Sequence, residues 1–401
     1  MTLTPTRAFW ISTHRYLGLA TLAFLAMAAI TGCLLCFRSP LDAALNPDLF
    51  KASPGAAPAN PVAAVEAFEA AHRDVRVLSF PLHPAPGANL LVSVGPRSER
   101  PLGYDQAFLD PADGRLVGTR LNQPGWDRRR LMEGVYTLHF TLLAGTFGRW
   151  FMGVIAVSWL ISAAIGVYLT FPGRPPYLRP WLKAWTVRIK SRLPRFMLDL
   201  HQASSLWLIV GVLALAATSV CLNFFSEAFE PAMMATSPAK PSPFDNPAKP
   251  APQPRLIGFP RALADGLAHA RATGSTWRPA SLSYDPALNL YGVTFTRNGV
   301  INYSGLGPIT DDFSAADGRF VYEDSPYSDS LGRKMTRALY PIHTGQMIGP
   351  IGVAFIFVVG LQTVELSVTG LYVWWKRRPP RVAFRKAKRA AARAAANGGA
   401  A

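Results

Sequence analysis

Four stretches of this 401-residue chain are apolar enough to cross a bilayer, and they limit the fold more than any other feature. They run roughly over 16–37, 148–171, 203–225 and 348–375. A hydrocarbon core takes about 20 apolar residues of helix, and within it a chain satisfies its own backbone only as a helix or a closed barrel. These runs therefore predict an α-helical polytopic membrane protein with four transmembrane helices. The first run has only Arg7 and Arg15 before it and small residues at Ala26–Ala29, as a signal peptide would. Its apolar length favours an uncleaved helix.

The net charge of +17 is unevenly placed. Between the second and third runs stand Arg174, Arg179, Lys183, Arg188, Lys190, Arg192 and Arg195 against one acid, Asp199. After the fourth run come Lys376, Arg377, Arg378 and six more cations with no acid. The two long loops are balanced, each with eleven basic and eleven acidic residues. Basic loops stay on the cytoplasmic face. Both termini and the middle loop are thus expected inside and both long loops outside, in the bacterial inner membrane. The basic runs are read as topology signals that touch anionic lipid, not as nucleic-acid sites.

A register repeats across the chain. Tyr136-x-x-His139 returns as Tyr340-x-x-His343. Twenty-seven residues after each histidine is a glycine with a tyrosine two places on: Gly166 with Tyr168, and Gly370 with Tyr372. Twenty-six before each is Asp-Gly-Arg, at Asp113–Arg115 and Asp317–Arg319. More weakly, His14 and His201 open the other two runs, and Thr31-Gly32 and Thr218-Ser219 follow each at the same interval. Fixed self-similarity of this kind predicts two helix-loop-helix repeats with one histidine per helix.

Each long loop reads as a helix followed by a small antiparallel sheet. In the first, Pro61–Arg73 has helical spacing, Arg76–Phe80 and Asn89–Val94 alternate, and Ala107–Arg120 reads as two strands around an Asp-Gly turn. The second opens with a proline-rich linker, Ser237–Arg255. A helix over Pro260–Ala272 and strands over Ser281–Tyr284, Leu290–Arg297 and Gly299–Ser304 follow, with Asn298-Gly299 as a hairpin turn. The tail beyond Lys376 is expected to be disordered or a surface helix.

The hairpin LDPADGRLVG resembles the signature that closes a PepSY domain, with Asp113 where threonine is usual and Ser314-Ala315 replacing Asp-Pro in the second loop. The whole chain, with helices opening HRYLGL, LHFTLLAGTFGRW, LHQASSLW and IHTGQMIG, resembles the PepSY-associated transmembrane family. The expected layout is residues 1–37 as N-terminus and first transmembrane helix, then 38–133 as a periplasmic PepSY-like α+β domain. After the second transmembrane helix (134–171) come a basic cytoplasmic loop (172–202) and the third (203–225). A linker and second PepSY-like domain (226–338), the fourth helix (339–376) and a cytoplasmic tail (377–401) complete it.

Ionisable residues at membrane depth usually mark function. Four histidines, His14, His201, His139 and His343, each head an apolar helix, while His72, His83 and His269 fall in the loops without a pattern. The topology puts His14 and His201 toward the inner face and His139 and His343 toward the outer, so paired imidazoles read as axial ligands of two heme irons. No Cys-x-x-Cys-His occurs, so the hemes would be b-type, held noncovalently. The resemblance implies the same cofactor and a ferric chelate, notably a ferric siderophore, as substrate. Arg15 and Arg149 are candidates to hold heme propionates, with Arg129 and Arg333 as further cations.

A continuous helix of 27 residues would rise roughly 40 Å, past a core of about 30 Å. Kinks at Gly145, Gly148, Gly349 and Pro350, or an electron relay through Trp159, Trp207 and Tyr168, would resolve this. Glu365 is the only acid inside a run and reads either as a proton group or as a partner of Gln362 or a serine. Cys33, Cys36 and Cys221 read as small packing residues. No P-loop or Gly-x-Gly-x-x-Gly occurs, so electrons would come from a separate flavoprotein or quinol donor. Two other functions fit the same chain: a non-enzymatic PepSY protein that binds or regulates a periplasmic partner or peptidase, and a metal-uptake accessory.

Overall fold

The computed structural model describes every residue except 1–5, 54–59, 246–253, 303 and 399–401, with the backbone alone over 379–398. In chain order the helices are α1 (Arg7–Leu35), α2 (Arg38–Leu45), α3 (Pro47–Phe50), α4 (Pro61–Ala71), α5 (Leu131–Thr141) and α6 (Gly145–Thr170). Then come α7 (Leu178–Leu182), α8 (Leu193–Trp207), α9 (Ile209–Asn223), α10 (Glu230–Thr236), α11 (Phe259–Ala272), α12 (Leu331–Thr344) and α13 (Pro350–Gly398). Strands β1 (Val75–Pro81), β2 (Leu90–Pro96), β3 (Gln106–Leu109) and β4 (Leu116–Arg120) follow α4. After α11 come β5 (Arg278–Asp285), β6 (Leu290–Thr296), β7 (Ile309–Ser314) and β8 (Phe320–Asp324).

The chain forms two compact units. One, helical, holds Met1–Cys33, His139–Phe224 and Ala354–Ala401; the other holds Leu34–Leu138 and Phe225–Val353 and contains the strands. Among the described residues, three helices are long and apolar enough to cross a membrane: Arg7–Leu35, Gly145–Thr170 and Pro350–Arg378. The third apolar run departs from expectation. It is a pair, α8 and α9, bent by 72° at Leu208, and counts as a fourth crossing only if the pair is one span. Pro194 opens α8, and the polar residues Asp199, His201, Gln202, Ser204 and Ser205 occupy it, so the apolar helix proper begins only at Ile209.

The span of 27 residues is also not one helix. After α5, Leu142, Leu143 and Gly145 all take positive φ, and α6 starts afresh. A Cβ on Gly148 would collide with the carbonyl oxygen of Thr141. The same corner recurs between α12 and α13, where Gly345 and Gly349 take positive φ and a Cβ on Gly352 would meet the carbonyl of Gly345. Glycines six and nine residues after His139 and His343 therefore turn the chain. In the tail the backbone is helical: α13 runs on to Gly398.

The eight strands make one antiparallel sheet in the order β4-β3-β2-β1-β5-β6-β7-β8. Asn60 caps α4 by accepting from the Val62 amide, a contact worth about 1 kcal/mol. Val62, Val65 and Phe68 on α4 and Phe259 and Ala262 on α11 cover one face, against Val75, Val77, Val92, Leu282, Tyr291 and Val293. Gly266 lets α11 approach closely, since a Cβ there would fall 2.7 Å from Val293 Cγ2. The Asp-Gly-Arg landmarks are matching turns. Gly114 and Gly318 take positive φ, and Asp110 Oδ1 accepts from the Ala112 amide as Ser314 Oγ accepts from Ala316. Ser314 thus does the work of the missing aspartate.

β1 and β5 join the two loops. Each carries a bulge, at Val77/Ser79 and at Pro279/Ser281. Aligned on the bulges, Phe80 corresponds to Leu282, and these two pair with each other, flanked by Ser79↔Ser283 and Pro81↔Ser281. The register reads alike from either strand. One expected strand is absent: Gly299–Ser304 is not extended where described, and residue 303 lies outside the described residues. Asn298 Oδ1 accepts from the Val300 amide and from Asn302, closing a local turn, and β6 pairs instead with β7. Of the proline-rich linker, 246–253 lies outside the described residues.

Candidate functional site

Within the helical unit, α1 carries His14 and α8 carries His201, and the two rings stand with centroids 6.4 Å apart at 64°. They border a cavity of ≈ 400 Å³. Its wall is mostly apolar, with Leu22, Leu25, Trp159 and Val212, and three guanidinium groups, Arg7, Arg15 and Arg377, also line it. A pocket of this size, apolar with few polar groups, suits a cofactor or small ligand.

Glycines back the rings. A Cβ on Gly166 of α6 would lie 3.2 Å from His14 Cε1, one on Gly370 of α13 would lie 3.3 Å from His201 Cε1, and one on Gly32 of α1 would lie 3.1 Å from His139 Cε1. The landmarks at fixed intervals in the sequence are therefore contacts: α1 offers His14 to Gly166 near one end of α6 and Gly32 to His139 near the other. Gly18, one turn beyond His14, faces open space on the cavity.

Hydrogen bonding fixes the tautomers. His14 Nδ1 lies 2.9 Å from the carbonyl oxygen of Ser162, which can only accept, so this nitrogen carries the proton. His201 Nδ1 lies 2.9 Å from Thr369 Oγ1, whose single proton goes to the Glu365 carbonyl at 2.8 Å, so again the ring donates. In both residues Nε2 is then the unprotonated nitrogen, the form in which histidine binds a metal. A donor bond from the second nitrogen to a carbonyl or hydroxyl is the usual outer support of a ligating imidazole. His139 Nδ1 has the same kind of partner, Thr31 Oγ1 at 3.0 Å, itself donating to the Met27 carbonyl at 2.8 Å.

Of the other expected residues, Arg15 lines the cavity. Arg149 does not; its guanidinium donates to the carbonyl of Asn223 at the end of α9. His139 belongs to the helical unit and His343 to the other, so the chain divides between them. Arg129 pairs with Asp48, and Arg333 with Asp324 at 2.8 Å. Trp159 lines the cavity, Trp207 donates to the Trp185 carbonyl, and Tyr168 packs edge-on to Trp10. Cys33 Sγ sits 3.5 Å from the Phe357 carbonyl, and Gly360 leaves it room. Glu365 accepts from Ser204 Oγ at 2.7 Å, and Gln362 donates to the Ser204 carbonyl. Among the described residues no group of three or more His, Cys, Asp or Glu is placed to hold a metal ion.

Sequence reasoning missed Ser162 and Thr369. A signal existed: Thr31-Gly32 and Thr369-Gly370 are the same dipeptide, and in each the threonine takes a histidine Nδ1 while the glycine meets Cε1. Against known proteins, a family model described as PepSY-associated TM region matches residues 11–377. No curated protein matches the chain.

Proposed function

The chain belongs to the PepSY-associated transmembrane family, and we propose that it is an inner-membrane diheme b-type electron-transfer protein reducing periplasmic ferric chelates, ferric siderophores above all, for iron uptake. The observation that carries this reading is the His14–His201 pair. Two imidazoles bound to one metal from opposite sides, with bonds of about 2.0 Å, hold their ring centres roughly 6.3 Å apart. The observed 6.4 Å fits that spacing. The fixed tautomers, the glycine-backed rings and the lined cavity support it independently.

When bound, heme supplies a one-electron Fe(III)/Fe(II) couple. The chain's own residues do the rest. Ser162 and Thr369 hold the rings in orientation, the apolar wall excludes water, and Arg15, Arg7 and Arg377 offer cations to propionates. The outer pair, His139 with His343, and Arg149 as its cation, rest on the repeat in the sequence and on the Thr31 bond to His139. Donation of an electron to a ferric chelate weakens the hold of hard oxygen ligands, which releases the metal. With no nucleotide motif in the sequence, the electron comes from a separate flavoprotein or quinol.

The sheet supports four crossings. β1 and β5 are hydrogen-bonded neighbours and so lie on one side of the membrane. The chain between them must cross an even number of times, which α6 and one crossing by the bent pair supply. This supports the reading of two helix-loop-helix halves, and the basic middle loop and tail support cytoplasmic termini.

The test is an absorption spectrum of the purified protein. A dithionite-reduced b-type band is expected, and His14→Ala and His201→Ala each remove the same half of it while His139→Ala and His343→Ala remove the other half. A colourless preparation overturns the reading and leaves a non-enzymatic membrane protein.

A further inference from the structure

We infer that Glu365 is a proton-binding site coupled to the electron that the His14–His201 pair handles; this rests on reading that pair as heme ligands. Behind His201, away from the cavity, lies a polar knot within the apolar helices. Ser204 Oγ of α8 donates to Glu365 Oε2 at 2.7 Å, and Gln362 Nε2 donates to the Ser204 carbonyl. Two oxygens are left over. Glu365 Oε1 and Gln362 Oε1 are both buried without a hydrogen-bond partner, and residues 362 and 365 are neighbours on one helix face. Both are acceptors, so the knot lacks a donor, and a proton on the Glu365 carboxyl supplies it.

The same helix turn holds the imidazole. The Thr369 hydroxyl donates to the Glu365 carbonyl at 2.8 Å and accepts from His201 Nδ1 at 2.9 Å. The titratable and charged groups on the packed elements are His201, Asp199 and Arg195 on α8, His14, Arg7, Arg15, Tyr16 and Cys33 on α1, and Cys221 on α9. Asp199 is already neutralised by Arg188 at 2.8 Å and Arg195 at 2.9 Å. The side chains that neighbour the Glu365 carboxylate, Ser204 and Thr369, carry uncharged hydroxyls. In this low-dielectric setting an added negative charge nearby disfavours the carboxylate. If His14 and His201 hold a heme, a one-electron gain there from a quinol or reduced flavin would be matched by one proton from the solvent onto the Glu365 carboxylate, which becomes the acid. Both leave on oxidation. Glu365 acts through Thr369 and is a positioning and proton-holding residue, not a catalytic one.

The experiment is a redox titration of the full-length protein in nanodiscs, read optically from pH 5.5 to 8.5, with dithionite as reductant. In the wild type the midpoint of the centre lost in His201→Ala falls with pH, approaching 59 mV for each tenfold change in proton activity. Glu365→Gln flattens the dependence and removes a carboxyl C=O band from the redox-difference infrared spectrum, and Glu365→Asp restores both. Should Glu365→Gln fail to fold, Ser204→Ala provides the second reading, moving the pH at which the slope sets in. A wild-type midpoint independent of pH, or a slope retained in Glu365→Gln, overturns this inference alone. A protein that binds no heme overturns it together with the proposed function.

Discussion

Around its histidines the helical unit buries polar groups in the opposite way to the sheet unit. In the first, imidazoles lean on carbonyls and hydroxyls, partners that orient a ring without charging it. In the second, buried charges clamp distant segments. Glu69, 8 % exposed, takes Arg255 at 3.0 Å and Arg97 at 3.5 Å and accepts from the Val77 amide at 2.7 Å. Arg255 meanwhile lies over the rings of Phe259, Tyr284 and Tyr291. Arg120 reaches Asp42 at 2.8 Å across the faces of Phe50 and Phe108. A change beside the histidines is thus expected to alter what the proposed site holds, and a change at these ion pairs to alter whether the sheet unit folds.

Glu69→Ala tests this contrast most severely. It strands Arg255 in its aromatic cage, and breaking a buried pair costs about 3–5 kcal/mol. Thermal unfolding of the sheet unit is expected well below that of the wild type, with the heme band of the protein that remains folded unaltered; loss of heme before loss of the sheet would erase the distinction. Asp312→Asn comes next. Burial, reinforced by the carboxylates of Asp324, Asp311 and Asp285, pushes Asp312 up to about 7, and burial pushes neighbouring Asp311 up to about 6. A carboxyl raised in the folded state stabilises at acid pH and loses that contribution as pH climbs through the raised value. Wild-type stability should therefore decline from about pH 4 to about pH 7 by a few kcal/mol. In Asp312→Asn most of that decline disappears, so melting curves at pH 8 show the variant above the wild type.

Smaller effects separate the two histidines. Thr369→Val removes the side-chain acceptor for His201 Nδ1, and loss of such an outer partner costs about 10–100-fold in affinity. On the proposed heme reading, retention at the His14–His201 site, followed by transfer to apomyoglobin, should fall in that range. Ser162→Ala leaves the carbonyl that holds His14 in place. Its effect is expected under about threefold, and equal losses in the two variants would show that the rings are not held differently.

Much of this architecture can be read from residue order, and the exceptions share a cause. Helices α1, α6 and α13, the Asp-Gly turns and the four histidines all announce themselves locally, through apolar length, turn chemistry or a costly side chain in an apolar run. The glycines at 166 and 370 appear in the sequence only as intervals, because their purpose lies on a neighbouring helix. The break at Leu208 carries neither proline nor glycine, and only the polar residues from Asp199 to Ser205 hint at it. Asn298-Gly299 looks like a hairpin and is not one, since the side chain of Asn298 satisfies the local backbone and the next strand starts at Ile309. The pairing of β1 with β5 has no local signature at all.

That last pairing bears on the chain as a whole. A junction identical from both sides is what a rotation axis produces between twin polypeptides. Severed between its loops, the molecule would yield two pieces, each baring the flank of a β-strand that invites another chain. Each piece would keep one half of the Phe80–Leu282 junction, so the sheet is completed within a single polypeptide.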